Sequence, residues 1–149
     1  DLREQTPAAV GDTLCVTGQI RSYHNLEPEG PRLVISVLAE TMTLCSAAHD
    51  NRAELLGTIC RAPVYRRTPL GREICDVMLA VPRAFQRADY LPCILWGRTA
   101  QEASRCHTRD KIGITGRLQS RVYTKLTEEG AEERTAYEIS ALTAQIPMD

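Results

Sequence analysis

The chain has 149 residues, 43% of them hydrophobic and 25% charged, with a formal net charge of -1. That length accommodates one good core, or one domain with part of another, and no apolar run approaches the roughly 18 residues of a membrane span. The start lacks the basic-then-apolar order of a secretory signal; the chain reads as soluble, and Asp1 in place of Met suggests a fragment or a processed form.

The near-neutral total hides an uneven distribution. Residues 1–51 carry three basic and seven acidic side chains, residues 52–126 carry fourteen basic and six acidic, and the remainder sets Arg134 against six acids. A positive central block points to a localised polyanion surface; a solvated arginine-rich surface is the bland alternative. The six cysteines (Cys15, Cys45, Cys60, Cys75, Cys93, Cys106) form no CxxC pair and are expected to be reduced and structural, so neither a metal site nor a cofactor is expected. Cys106 and His107 are adjacent, but sequence neighbours point apart, which argues against a thiol nucleophile with its base. With no phosphate-cradling glycine loop and no paired-carboxylate motif, the chain is not expected to be an enzyme.

In chain order, "GDTLCVTGQIRS" (11–22) and "LVISVLA" (33–39) read as strands, and "SAAHD" (46–50) as a linker. "RAELLGTIC" (52–60) and "REICDVMLAVPR" (72–83) follow as strands joined through the turn-rich "RRTPLG", and "DYLPCILWG" (89–97) is a third. "TAQEASRC" (99–106) pairs Thr99 with Glu102 as a capping box and suits a short helix. "RDKIGITGRLQS" (109–120) and "YEISALT" (137–143) close the series, and both repeat earlier sequence. Asp12, Thr17, Gly18 and Ser22 match Asp110, Thr115, Gly116 and Ser120 at an offset of 98, while Ile35 falls on Ile139 at an offset of 104, a connecting loop six residues longer.

The order β-β-β-α-β-β within about 100 residues is that of the OB-fold. The expected fold is therefore all-β: a five-stranded Greek-key OB-fold barrel with one short helix over 51–149, preceded by a partial OB domain. That partial domain, 1–45, supplies a helix remnant and the last two strands of a barrel whose open edges invite pairing.

Strand parity sorts the side chains. Leu91, Cys93 and Leu95 point inward, leaving Tyr90, Pro92, Ile94 and Trp96 outward. Cys75, Val77, Leu79 and Val81 form the inner set of the preceding strand, with Ile74, Asp76, Met78 and Ala80 outside, leading to Pro82, Arg83 and Phe85. In the fourth strand Ile112, Ile114, Leu118 and Val122 face the core, Lys111, Arg117, Arg121 and Tyr123 face out, and Gly116 is expected to mark a bulge. The outward faces thus gather Phe85, Tyr90, Trp96 and Tyr123 among Arg83, Arg98, Lys111, Arg117 and Arg121. Unpaired bases stack on aromatic rings while cations neutralise the phosphates between them, so this interleaving suits a single nucleic-acid strand. Individual rings could instead cap the core or fill a subunit interface.

On the stretches "NRAELLGTICRAPVYRRTPLGREICDVMLAVPRAF", "DYLPCILWGRTAQEA" and "ITGRLQSRVY", the region from Asn51 to about Leu142 resembles the bacterial single-stranded DNA-binding protein family. The resemblance implies a homo-oligomer that wraps single-stranded DNA around aromatic positions, here Phe85, Tyr90, Trp96 and Tyr123. It also implies a cytoplasmic, nucleoid-associated setting in replication, repair or recombination, with proteins of those processes as partners. Members commonly end in a flexible acidic tip that recruits partners, whereas this sequence ends "AQIPMD". The half-domain in front looks like part of a tandem version, and the acidic loop "TEEGAEER" (127–134) is expected to project away from the DNA. The competing reading is a primosome-type OB module for protein interaction, with weak or no nucleic-acid binding.

Overall fold

The computed structural model describes residues 4, 7–26, 32–46 and 49–148. Strands β1 (Leu14–His24) and β2 (Leu33–Leu44) form an antiparallel two-stranded sheet of their own. Of the helix remnant expected ahead of β1 only Glu4, which is helical, is described, and residues 47 and 48 of the expected linker lie outside the described residues. There follow β3 (Ala53–Ile59), β4 (Val64–Arg67), β5 (Glu73–Arg83), β6 (Arg87–Trp96), the helix α1 (Gly97–Ser104), β7 (Lys111–Thr127) and β8 (Gly130–Met148). Their sheet runs β3-β7-β8-β6-β5-β4, and β3 also pairs with β5, which closes β3, β5, β6, β8 and β7 into a five-stranded barrel. This is the all-β OB-fold architecture expected from the element order. β4 is an addition: the connection read as turn-rich first pairs Val64–Arg67 along the edge of β5, then turns at 68–71.

Alternation at period two puts Cys75, Val77 and Leu79 of β5, Leu91, Cys93 and Leu95 of β6, and Ile112 and Ile114 of β7 inside the barrel, each at most 3% exposed. Fully burying one such aliphatic side chain is worth about 1.5–3 kcal/mol. Ala100 and Ala103 of α1, both sealed, pack against this core. The helix starts differently from expectation: its N-cap is Trp96 in an extended conformation with no side-chain cap hydrogen bond, and Thr99 sits inside the first turn.

The core is lined by free thiols. All six cysteines are unpaired; Cys75 and Cys93 are buried, Cys15 is exposed and the others lie between. Burial pushes the Cys75 thiol up to about 11 and Cys93 up to about 12. Cys106 is also raised, again first by burial, so the thiol beside His107 is held away from the nucleophilic thiolate. Cys15 therefore departs from the structural role expected of all six.

The internal repeat is a repeat of backbone geometry. In β7–β8 the register shifts between Thr115, opposite Thr143, and Gly116, opposite Ala141, leaving Leu142 unpaired as a bulge. In β1–β2 the shift falls between Thr17, opposite Thr41, and Gly18, opposite Ala39, leaving Glu40. A Cβ on Gly116 would sit 2.1 Å from the Ser140 carbonyl oxygen, and one on Gly18 would sit 2.1 Å from that of Leu38. Both glycines are required by this close approach. These pairs fix the second offset at 102, because Thr41 corresponds to Thr143 and Val37, not Ile35, corresponds to Ile139. The connecting turn is thus longer by four residues and not six.

Three expected burials are reversed, although each of these residues keeps its strand parity. Ile74 and Ile94, expected outside, are 3% and 4% exposed; Ile74 lies between Arg66 and Trp96, and Ile94 between Asp76 and Ser140, whose strands flank them on both sides. Val122, expected inside, is 66% exposed. Beyond Ser120 and Tyr137, β7 and β8 pair only with each other up to Thr127 and Gly130, so no barrel strand lies beneath. The acidic stretch read as a loop is the end of this long hairpin, with Glu132 and Glu133 inside β8 and only Glu128 and Glu129 forming the turn.

Gly116→Ala is expected to lower stability by about 3 kcal/mol in urea unfolding, the upper range for overpacking, because the obstacle is backbone. Leu142→Ala, at the exposed bulge, should change it by less than about 0.5 kcal/mol. In thiol titration of the native protein, Cys15 should react first, and Cys75 and Cys93 only on unfolding.

Candidate nucleic-acid interface

The outward side of the barrel is built by register. Trp96, at the end of β6, is half-buried, and its Nε1–H donates to Ser140 Oγ of β8 at 3.0 Å. Ser140 is cross-strand from Arg117 of β7, Glu138 from Gln119, Ala136 from Arg121, and Arg134 from Tyr123. Trp96, Arg117, Arg121 and Tyr123 therefore share one continuous flank, and the Arg121 guanidinium lies 5.7 Å from the Tyr123 ring centre, within cation–π range. Tyr90, six residues before Trp96 on the same flank, is 38% exposed, with the His24 ring of β1 6.2 Å away.

The remaining expected residues are more dispersed. Phe85 is 93% exposed at the β5–β6 turn, where Phe85 and Gln86 both take left-handed backbone, at φ 63° and 58°. Arg98 is exposed in the first turn of α1. Lys111 begins β7, six residues or about 20 Å from Arg117 along the strand. Among the described residues, Arg98, Lys111 and Arg117 make no ion pair.

Arg83 is the exception. It takes the inward parity of Val77, Leu79 and Val81 and not the outward set, and its Nη1 lies 3.7 Å from Asp89 Oδ1. Asp89, 3% exposed, also accepts from the Ser22 N–H at 2.8 Å and lies 3.9 Å from Arg21 Nε. In return the Tyr90 N–H donates to Ser22 Oγ at 2.6 Å. Asp89 thus clamps the β1–β2 hairpin onto the barrel end, with Arg83 beside it as a second counter-charge; the Arg83 Nε is buried without a hydrogen bond.

Sequence reasoning gave no role to two further acids, one of them the outward Asp76, and to one cation. Glu138, 7% exposed on the outward side of β8, accepts from Gln119 Nε2 at 3.0 Å and from Arg121 Nε at 3.3 Å. Asp76 accepts from Arg66 Nε at 2.8 Å. That bond, ahead of the neighbouring Asp76 and Glu138 charges, holds the Arg66 guanidinium above its usual range. Asp89 had a signal, a lone acid at inward parity in a hydrophobic series; Glu138 had none before the β7–β8 register was known. Among the described residues no group of three or more His, Cys, Asp or Glu side chains is placed to hold a metal ion, and no helix is long and apolar enough to cross a membrane.

A closed five-stranded barrel with a helix between its third and fourth strands is an OB-fold, a class that holds its ligands across the outer strand face. The model of the single-strand binding protein family matches residues 50–147, and the chain belongs to that family, which is non-enzymatic. A single-stranded DNA-binding protein of Clostridium tetani is 35% identical over 80 residues, 49% of this chain and 55% of its own length. The corresponding protein of Bacillus cereus is 30% identical over 103 residues, 64% of this chain and 58% of its own. The chain thus spans about half the length of the curated relatives it matches. The crystal structure of wild-type single-stranded DNA binding protein from Thermus aquaticus superposes with a TM-score of 0.76 at 23% identity, covering 93% of this chain and 61% of that one. At that identity the likeness is one of fold, and its coverage extends past the family segment into the β1–β2 hairpin.

Asp89→Asn should loosen the clamp, since breaking a buried ion pair costs about 3–5 kcal/mol. Hydrogen exchange of the β1 and β2 amides is expected to speed up, while amides of β5–β7 remain protected.

Proposed function

We propose that this chain binds single-stranded DNA with little sequence preference, along the outward flank of β6, β8 and β7. The observation that carries the reading is the half-buried Trp96, fixed by Ser140 on the same face as Arg117, Arg121 and Tyr123. A ring anchored at its edge keeps a face for a base, and stacking contributes about 1–3 kcal/mol per base. Tyr90 extends the row, Phe85 adds a ring at the turn, and Arg98, Arg117 and Lys111 supply phosphate neutralisation. Family membership and the names of the relatives support DNA as the ligand. The setting is replication, repair or recombination at the nucleoid, in the cytoplasm, as a homo-oligomer with proteins of those processes.

The β1–β2 hairpin belongs to a preceding barrel of the same kind. It shares with β7–β8 the bulge, the glycine approach and the register, and exposes Val16 and Val37 where Ile114 and Ile139 are sealed. The mass of the polypeptide in its native cell tests this: a chain longer by at least three strands is expected, and one of 149 residues contradicts it.

Titration with oligothymidylate should quench the lone tryptophan, with an affinity that falls steeply with salt. With labelled DNA, Trp96→Ala, Tyr90→Ala and Tyr123→Ala should each weaken binding by about 1–3 kcal/mol while retaining the fold. Binding that ignores both salt and all three rings would point to the protein-interaction module instead.

A further inference from the structure

Two of the guanidinium groups on the outward flank are already occupied by acids of the same flank. Arg121 is bonded to Glu138, a carboxylate only 7% exposed, and Arg66 is bonded to Asp76. Glu138 is held in place from a second side by Gln119. A buried acid on a face that receives a polyanion repels the ligand, and it also engages the donors that a phosphate would need. Arg121 is half exposed beside the Tyr123 ring, so a nucleotide stacked on that ring meets a cation whose charge is locally balanced.

We infer that Glu138, and in the same way Asp76, acts as an internal substitute for phosphate: each carboxylate competes with the DNA backbone for its arginine and so limits affinity for the strand. This rests on the single-stranded DNA reading above. A phosphate arriving at Arg121 must share or displace the Glu138 bond, so in the native protein Arg121 neutralises little of the strand's charge and releases few counterions. The two acids are limiting residues, and the unpaired Arg117, Arg98 and Lys111 carry the salt-sensitive attraction.

The test is the salt dependence of oligothymidylate binding between about 50 and 200 mM NaCl. Each phosphate newly neutralised steepens log K against log salt by about 0.7 for a single strand. Glu138→Gln keeps the size, and one acceptor oxygen that serves Gln119 or Arg121 but not both, and removes the charge. It should bind more tightly than the native protein throughout, with its advantage growing about 2.6-fold from 200 to 50 mM. The steepening should vanish when Arg121→Gln is added. Glu54→Gln, on β3 and paired with Arg52, makes the same change in net charge and should match the native protein within about two-fold.

Asp76→Asn, on an exposed pair, repeats the test at Arg66 and decides the matter if Glu138→Gln does not fold. An unchanged slope in either variant overturns that acid's role. Steepening that persists without Arg121 overturns the mechanism in favour of a general field effect. If the native protein binds the strand and only these slopes fail to change, the inference alone is lost; if the native protein does not bind, the DNA reading falls with it.

Discussion

The barrel depends on backbone meeting backbone where strands turn. Gly116 of β7 lies against the Ser140 carbonyl of β8, and Gly57 of β3 lies against the Ala80 carbonyl of β5. A Cβ at either place would occupy the space of a carbonyl, and the strands could not coil closely enough for β3 to reach β7 on one side and β5 on the other. The bulge at Leu142 adds the bend that this closure requires. Asn51 completes the seam: its side-chain amide donates to the Leu118 carbonyl at 2.7 Å and accepts from the Leu118 N–H at 3.0 Å, continuing the β3–β7 ladder past the end of the strand. Once the sheet has closed, its outer side becomes one continuous surface, and residues of β6, β8 and β7 that are distant in sequence become neighbours.

That surface is less positive than the central block of sequence implies. Arg83 is absorbed by Asp89 at the barrel end, Arg121 by Glu138 and Arg66 by Asp76. The pairs differ in purpose. Asp89 is a structural acid, whose bond from the Ser22 N–H and ion pair with Arg21 hold the hairpin to the barrel while Arg83 balances its charge. Asp76 and Glu138 face outward, where their charge bears on whatever the surface receives. Charge totals are additive along a chain, whereas the field at a surface depends on which acid each guanidinium meets.

The hairpin makes the repeat instructive. The register sets Val37, two residues beyond Ile35, on Ile139, and a shift of two leaves every side chain on the same side of the pleat. A slip of one would have exchanged core and surface. Only the geometry of the bulge, the same in both copies, corrected the offset.

The alternation of Leu91, Cys93 and Leu95 against Tyr90 and Trp96 and the helix between the third and fourth strands are local patterns, and so the sequence by itself determined the elements, their inner faces and the class of barrel, whereas the bulge expected at Gly116 falls on the partner strand at Leu142. It could not determine that Arg83 turns in and Glu138 lies beneath Arg121, that β4 pairs along the edge of β5, or that Val122 leaves the core, because each depends on which strand lies alongside. Periodicity is a property of one strand, but pairing and burial belong to two or more, and those the tertiary structure alone decided.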